Sequence, residues 1–245
     1  ETELLAPEDR TYGSRRWSRQ VSGPGAVLVL LGVRGQLPQL AHHTLFFTED
    51  WRENFAAIFG PRAHVPDPAS IYVCRSSATD DVAPPGHENL FVLVPVPPDP
   101  GIGRGGEEGS GDALVEQAAD RVIEQISEWA GIPDLAERIV LRRTIGPGDF
   151  EADYHAFRGS ALGPAHTLGQ SAFFRGRTVS RRVAGLYYAG STTVPGVGVP
   201  MCLISAELVL KAVRGRGGPG PLPEPAPDGE TAPDGETAPT PGEPG

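Results

Sequence analysis

The segment from Gly185 to Val209, GLYYAGSTTVPGVGVPMCLISAELV, restricts what this chain can fold into more tightly than any other stretch. Leu186 to Ala189 is a short apolar run of strand type, and Gly190 to Val199 is a loop with glycines at 190, 196 and 198. Pro200 has the fixed φ suited to the first turn of a helix, which the following residues carry to about Val213. A strand, a glycine loop and a helix start in succession bring several unpaired backbone N–H groups to one point, with the positive end of the helix dipole behind them. Such a point holds an anion or an electron-rich carbonyl, and Gly196 and Gly198 let the backbone come close to it. Taken alone, the segment is equally well explained as an ordinary strand-to-helix turn that uses glycine for tight packing.

A loop of this kind needs a core behind it. The chain has 245 residues, 39% of them hydrophobic, enough for one large domain or two small ones. Its 31 acids against 21 bases give a formal charge of -10, and no clustered positive surface is evident, which argues against a nucleic-acid partner. The local basic cluster of Arg10, Arg15, Arg16 and Arg19 around Trp17 reads as a solvated connector, or as a patch resting on anionic lipid headgroups. Cys74 and Cys202 each lie inside an apolar run, so no disulfide framework is implied, a reducing compartment fits, and both thiols are expected to be buried. Ala26 to Val33, the longest strongly apolar stretch, is far too short to span a bilayer.

Ala26 to Val33 (AVLVLLGV) predicts a buried strand, Leu45 to Phe47 a shorter one, and Ile71 to Cys74, Leu90 to Val96 and Ile139 to Ile145 three more. Asp50 can cap a helix that places Trp51, Phe55, Ile58 and Phe59 on one apolar face before Gly60-Pro61 stops it. Val115 to Trp129 is amphipathic, with Val115, Ala119, Val122, Ile123, Ile126 and Trp129 on one stripe and Gly131 after its end. Strands with interspersed helices point to a mixed α+β unit. Pro97 to Asp112 reads as a flexible surface insertion; no strand leads directly into Gly101-Ile102-Gly103, and a phosphate-cradling loop is not assigned. From Arg214 onward the composition turns to Gly and Pro, APDGET occurs twice, and the tail is expected to be disordered.

A helix N-terminus aimed at the N1–C2=O edge of a flavin would stabilise the charge left there when hydride arrives at N5. The segment GLYYAGSTTVPGVGVPMCLISAELV resembles the C-terminal FAD-binding signature of bacterial-type phytoene desaturases, which are carotenoid-forming flavoenzymes. The blocks PQLAHHTLFFTEDW, IYVCRSSATDDVAPPGHENLFVLVPVP, TIGPGDF, FRGSALG and QSAFFRGRTVSRRVAGLYYAG resemble family segments in the same order, over roughly residues 25 to 213. Many related flavoenzymes, including amine oxidases, carry an acidic residue after the glycine that ends the strand. Ser191 stands there in this chain, and Ser-Thr-Thr after Gly190 is similar to the carotenoid desaturase branch.

The resemblance implies the C-terminal part of a Rossmann-like FAD-binding flavoprotein with a mixed-sheet substrate-binding domain. Residues 1–21 are then a connector, 22–150 the second part of the substrate domain, 151–213 the C-terminal element of the FAD domain, and 214–245 the tail. It implies FAD contacts from Gly190, Ser191, Thr192, Gly196, Val197, Gly198, Val199, Pro200 and Met201. The implied activity is stepwise desaturation of phytoene toward lycopene. Such chemistry needs a long apolar channel and a flavin more than a titrating side chain, so no catalytic residue is assigned. A lipid-soluble substrate and product imply a cytoplasmic protein held peripherally at the inner membrane.

The alternatives are another carotenoid desaturase or ketolase, a retinol-saturase-like flavoenzyme, or a non-catalytic module that binds hydrophobic ligands. The first residue is Glu, and no strand followed by a GxGxxG helix start occurs in these residues. The expectation is therefore a fragment lacking the N-terminal, adenine-binding half and inactive alone. His42 and His43, in a probable strand, should point to opposite faces, which is poor geometry for a shared metal, and no metal is assigned. Asp153, His155 and Ser160 lack the nucleophile elbow of a hydrolase, and Asp149 and Arg158, which flank the return into the glycine-loop segment, read as structural salt-bridging residues or as lining the junction between domains.

Overall fold

A computed structural model describes residues 1–222 apart from 217 and 219, so the tail from 223 onward lies outside the described residues. In chain order the elements are α1 (Ser14–Trp17), β1 (Gly25–Arg34), β2 (His43–Phe46), α2 (Trp51–Phe59), β3 (Ile71–Cys74) and β4 (His87–Val96). There follow α3 (Ala113–Ala130), α4 (Leu135–Arg138), β5 (Ile139–Ile145), α5 (Pro147–Tyr154) and α6 (Val199–Val213). The class is α+β, as the sequence indicates.

The five strands form one sheet in the order β2-β3-β4-β1-β5, and every pairing between them is antiparallel. This corrects the expected mixed sheet. The strand–helix–strand run β4–α3–β5 does bring two strands back in the same direction, but β1 lies between them and pairs antiparallel with both. No parallel ladder forms among the named strands because the central place belongs to the strand that runs the other way.

β1 can stand between two partners because its run of aliphatic residues has material for both faces. Val27, Val29, Leu31 and Val33 alternate inward beside Leu90, Val92, Val94 and Val96 of β4, all buried. Over this face lies α3, which buries Val115, Ala118, Ala119, Val122, Ile123 and Ile126 and ends where Gly131 takes the left-handed conformation. Removing each of these aliphatic side chains from water stabilises the fold by roughly 1.5–3 kcal/mol. The opposite face carries a row of Leu45, Tyr72, Leu93, Leu28 and Ile145, one from each strand, and beside it His43, Cys74, Phe91, Leu30 and Arg143. None of these ten is fully buried.

Asp50 caps α2 as expected, accepting from the N–H of Arg52 at 2.8 Å and of Glu53 at 3.0 Å. The face it buries is different from the expected one. Asn54, Ala57 and Ile58 turn inward, while Trp51, Phe55 and Phe59 are each about half exposed and follow Phe47 in a ladder with ring centroids 5.0, 6.1 and 6.3 Å apart. Small residues let this short helix sit close to the sheet, and that leaves no room for the aromatic stripe beneath it.

Pro97 to Asp112 is a built loop, which overturns the expectation of a flexible insertion. Ile102 is buried, and a Cβ at Gly105 would lie 2.0 Å from the carbonyl oxygen of Thr144, so only glycine lets the loop run against β5. Asp149 of α5 accepts from the N–H groups of Gly105 at 2.7 Å and Gly146 at 2.8 Å and pairs with Arg104 at 2.9 Å. Burial alone would raise its carboxyl; the Gly146 and Gly105 N–H groups and Arg104 outweigh that and hold it below the ordinary aspartate value. Asp149 thus makes a structural salt bridge, with Arg104, while Arg158 lies over the Phe157 ring at 5.1 Å.

Candidate functional site

The glycine loop hangs between a helix start and a buried arginine. α6 begins at Val199 with Pro200 in its first turn, preceded by Gly198 at φ 111°, a conformation that a side chain would strain. Gly190 has φ 110°, and open space surrounds the position of its missing Cβ. No side chain caps the α6 N-terminus, so its first N–H groups and the positive dipole end face outward. Gly198, Val199 and Pro200 are exposed, and Ser191, Val197 and Met201 half-buried. The nine residues implied to touch FAD thus fall in two runs, 190–192 in the loop and 196–201 leading into the first helical turn, and Gly196 is the buried one among them.

Three side chains that sequence reasoning passed over fix this loop. Ser205, fully buried on α6, accepts from the Gly190 N–H at 2.7 Å while donating to the Cys202 carbonyl at 2.9 Å. Thr193, also buried, donates to the Gly190 carbonyl at 2.8 Å. Arg175, 4% exposed, donates from Nε at 3.1 Å and Nη2 at 2.7 Å to the Ser191 carbonyl, and from Nη1 to Pro164 at 3.2 Å and Gln170 at 3.3 Å. Burial pulls its guanidinium below the ordinary arginine value, and no carboxylate among the described residues pairs with it. One lone serine in the apolar helix run and one arginine inside FFRGR were the available signals.

The expected strand at Leu186 to Ala189 is absent. Tyr187 and Thr193 make isolated bridges to Val179 and Gly176, because only the 176–180 segment runs alongside and a single neighbour with interrupted pairing does not build a ladder. The first twenty residues bury no side chain fully, and Arg15, Arg16 and Arg19 are exposed, but the segment touches the rest of the chain. Trp17 packs on Phe157 at 5.3 Å, the Tyr12 hydroxyl accepts from the Arg177 N–H at 2.7 Å, and Arg16 sits over the Tyr12 ring at 4.4 Å. Between this arm and the loop is a cavity of about 130 Å³ lined by Tyr12, Trp17, Arg175, Tyr188, Thr192 and Thr193.

Away from the loop, His42 and His43 do not point to opposite faces. His42 precedes β2 at a bend, and its ring lies 4.3 Å from that of His43. β2–β3 pairing sets His43 directly across from Cys74. Neither Cys74 nor Cys202 is fully buried, contrary to expectation, since each stands on a side of its element that packs only partly. Asp153 lies 3.7 Å from Arg104, and Ser160 accepts from the Gly163 N–H at 3.0 Å; neither hydrogen-bonds with His155.

The uncapped helix start and the two open glycines fit the electron-rich carbonyl edge of a flavin. No domain-family profile matches the chain. Individual proteins do. The chain is 43% identical over 214 residues to a carotenoid 3,4-desaturase of Haloarcula japonica, covering 87% of this chain and 41% of that protein. It is 34% identical over 190 residues to a 4,4'-diapophytoene desaturase of Staphylococcus haemolyticus, covering 77% and 37%, and 37% identical over 175 residues to one of Staphylococcus aureus, covering 70% and 34%. It spans between about one third and two fifths of the length of these relatives. Similarity of this extent, to desaturases of one chemical class, makes the chain a member of the carotenoid desaturase family.

Proposed function

We propose that this chain supplies the flavin-facing loop and an apolar wall of an FAD-dependent carotenoid desaturase that acts on phytoene and carries it toward lycopene. The observation behind this is the uncapped α6 N-terminus joined to Gly190 and Gly198, whose faces are open. When bound, FAD supplies the two-electron acceptor for hydride removal from a C–H bond of an apolar polyene. The residues of the chain would do the rest. The first N–H groups of α6 orient the cofactor's carbonyl edge and stabilise negative charge there. Arg175, Thr193 and Ser205 keep the loop from moving as that charge develops. Leu28, Phe91, Leu93 and Ile145 on the open sheet face offer an apolar wall that excludes water from a hydrocarbon. We assign adenine and pyrophosphate contacts to the part of the relatives' length that this chain does not match, since it covers 34–41% of them.

One relative favours a second reading, desaturation of a carotenoid that is already conjugated, because the Haloarcula japonica protein is a carotenoid 3,4-desaturase. Expressing the complete coding sequence in cells that accumulate phytoene, and separately in cells that accumulate lycopene, separates the two. Loss of phytoene with new pigments absorbing at longer wavelength is the expected result. Phytoene left intact while lycopene is converted would select the second reading, and no change in either host would sink both.

We further assign the protein to the cytoplasmic side of the inner membrane, held peripherally, because substrate and product dissolve in lipid. No helix among the described residues is long and apolar enough to cross a membrane. The contact is assigned to the half-exposed ladder of Phe47, Trp51, Phe55 and Phe59, since aromatic side chains partition to the headgroup level. Changing Trp51, Phe55 and Phe59 together to Ser should lower cosedimentation with liposomes at least about tenfold, as three buried rings are lost. Unaltered cosedimentation would remove the assignment.

A further inference from the structure

At the β2 edge of the sheet, residues far apart in sequence converge. The potential ligand atoms of His42, His43 and Cys74 all lie within 4.8 Å of one another. Two backbone features bring them there. His43 and Cys74 are cross-strand partners with side chains on the open face, and the Arg75 N–H donates at 2.8 Å to the His42 carbonyl, which holds the bend before β2 against the end of β3. Arg75 itself is tied to Glu88 at 2.9 Å, so its guanidinium is engaged away from the cluster.

Each ligand also has a supporting partner. The Thr79 hydroxyl donates to Asp80 at 2.8 Å, so its oxygen accepts from Nδ1 of His42 at 2.7 Å; that protonates Nδ1 and leaves the Nε2 lone pair free. Nδ1 of His43 lies 2.8 Å from the Tyr72 hydroxyl, which can accept its proton when Nε2 is engaged. Ser76 lies 3.6 Å from the Cys74 sulfur, placed to donate to a thiolate. A carboxylate–hydroxyl–imidazole chain behind one ligand and a hydroxyl behind each of the others is the outer shell that metal sites use to set tautomer and charge.

We propose that His42, His43 and Cys74 form a binding site for a borderline-soft divalent cation of the Zn(II) type. Two imidazoles and one thiolate match the preference of Zn(II) for nitrogen and sulfur and are too soft for Mg(II) or Ca(II). In a tetrahedral site the ligand atoms stand about 3.3–3.6 Å apart, so side-chain rotations that close them by roughly 1 Å complete three positions and leave the fourth open. The bound cation clamps the bend before β2 to β3 and so fastens a four-residue edge strand that is otherwise held from one side. The site is independent of the flavin-facing loop and of the carotenoid reading.

Titration of the purified, reduced 245-residue chain with Co(II), used as the spectroscopic probe for Zn(II), tests this. One equivalent is expected to produce thiolate-to-metal charge-transfer absorption that Zn(II) displaces. Cys74→Ser should abolish that absorption, Cys202→Ser should retain it, and His42→Ala with His43→Ala should weaken binding at least about 100-fold. Thr79→Val should weaken it about tenfold while the absorption persists, as expected for a residue acting through His42. Absorption that survives Cys74→Ser, no thiolate absorption at all, or unchanged affinity in the double variant would each overturn the proposal. Should a variant misfold, alkylation of the unaltered protein decides the matter: Zn(II) should protect Cys74 and leave Cys202 reactive, and equal reactivity of Cys74 with and without Zn(II) refutes the site.

Discussion

Replacing Glu116 with Ala is expected to cost about 3 kcal/mol of folding stability, at the lower end of what removing one partner of a buried ion pair does. Glu116 is where α3, β5 and the Pro97–Asp112 loop meet. One carboxylate oxygen pairs with Arg142 of β5, and the other accepts from the Thr144 hydroxyl and from the Gly111 N–H at 3.2 Å. The side chains of Glu116 and Arg142 are only 12% and 17% exposed, so the alanine variant leaves a guanidinium, a hydroxyl and a loop N–H in a poorly hydrated place. Asp120 still reaches Arg142 from the surface, which keeps the loss from being larger. Urea denaturation measures it directly. In a double-mutant cycle, Arg142→Met should cost about 2 kcal/mol less in the Glu116→Ala background than alone. A Glu116→Ala loss within about 0.5 kcal/mol, the range of an ordinary surface change, would mean that this network does not hold the loop.

Arg175→Met should act on the glycine loop more than on the core. The methionine fills similar volume but donates nothing, so the carbonyls of Ser191, Pro164 and Gln170 lose their donors in an interior where each unpaired group costs roughly 1–3 kcal/mol. The adjoining cavity of about 130 Å³ lets water reach some of them, which places the expected local loss near 2–4 kcal/mol. Amide exchange is the measurement. The N–H groups of Gly176, Gly190 and Thr193, which donate to the Thr192 carbonyl, the Ser205 hydroxyl and the Gly190 carbonyl, should exchange about 30-fold faster or more, while those of β1 and β4 stay protected. Arg175→Lys should recover only part of the protection, since one ammonium reaches the Ser191 carbonyl without the guanidinium fork. Unchanged exchange at Gly190 and Thr193 in the methionine variant would show that Arg175 does not position the loop.

The glycine loop and the helix start were legible because their signal is local. Gly190 and Gly198 are glycines where φ is positive, and Pro200 opens a helix at the place a proline favours. What holds them was not legible. Arg175 and Ser205 are ordinary residues whose importance exists only after the chain brings the 175 and 205 positions to either side of Gly190 and Ser191.

The same division runs through the fold. The amino-acid sequence by itself determined β1, the Asp50 cap, the α3 stripe except Trp129, which is 39% exposed, the Gly131 stop and the start of α6, because each depends on periodicity or capping within about one turn or strand of itself. Tertiary structure decided which side of an element faces inward and what lies opposite it. It turned Trp51, Phe55 and Phe59 outward, ordered the glycine-rich loop against Thr144, placed β1 between two strands that sequence order would pair, and set Cys74 beside two histidines. Those outcomes rest on register and on close contacts between segments tens of residues apart, where a shift of one residue exchanges every side chain between faces, and no local pattern in the chain encodes them.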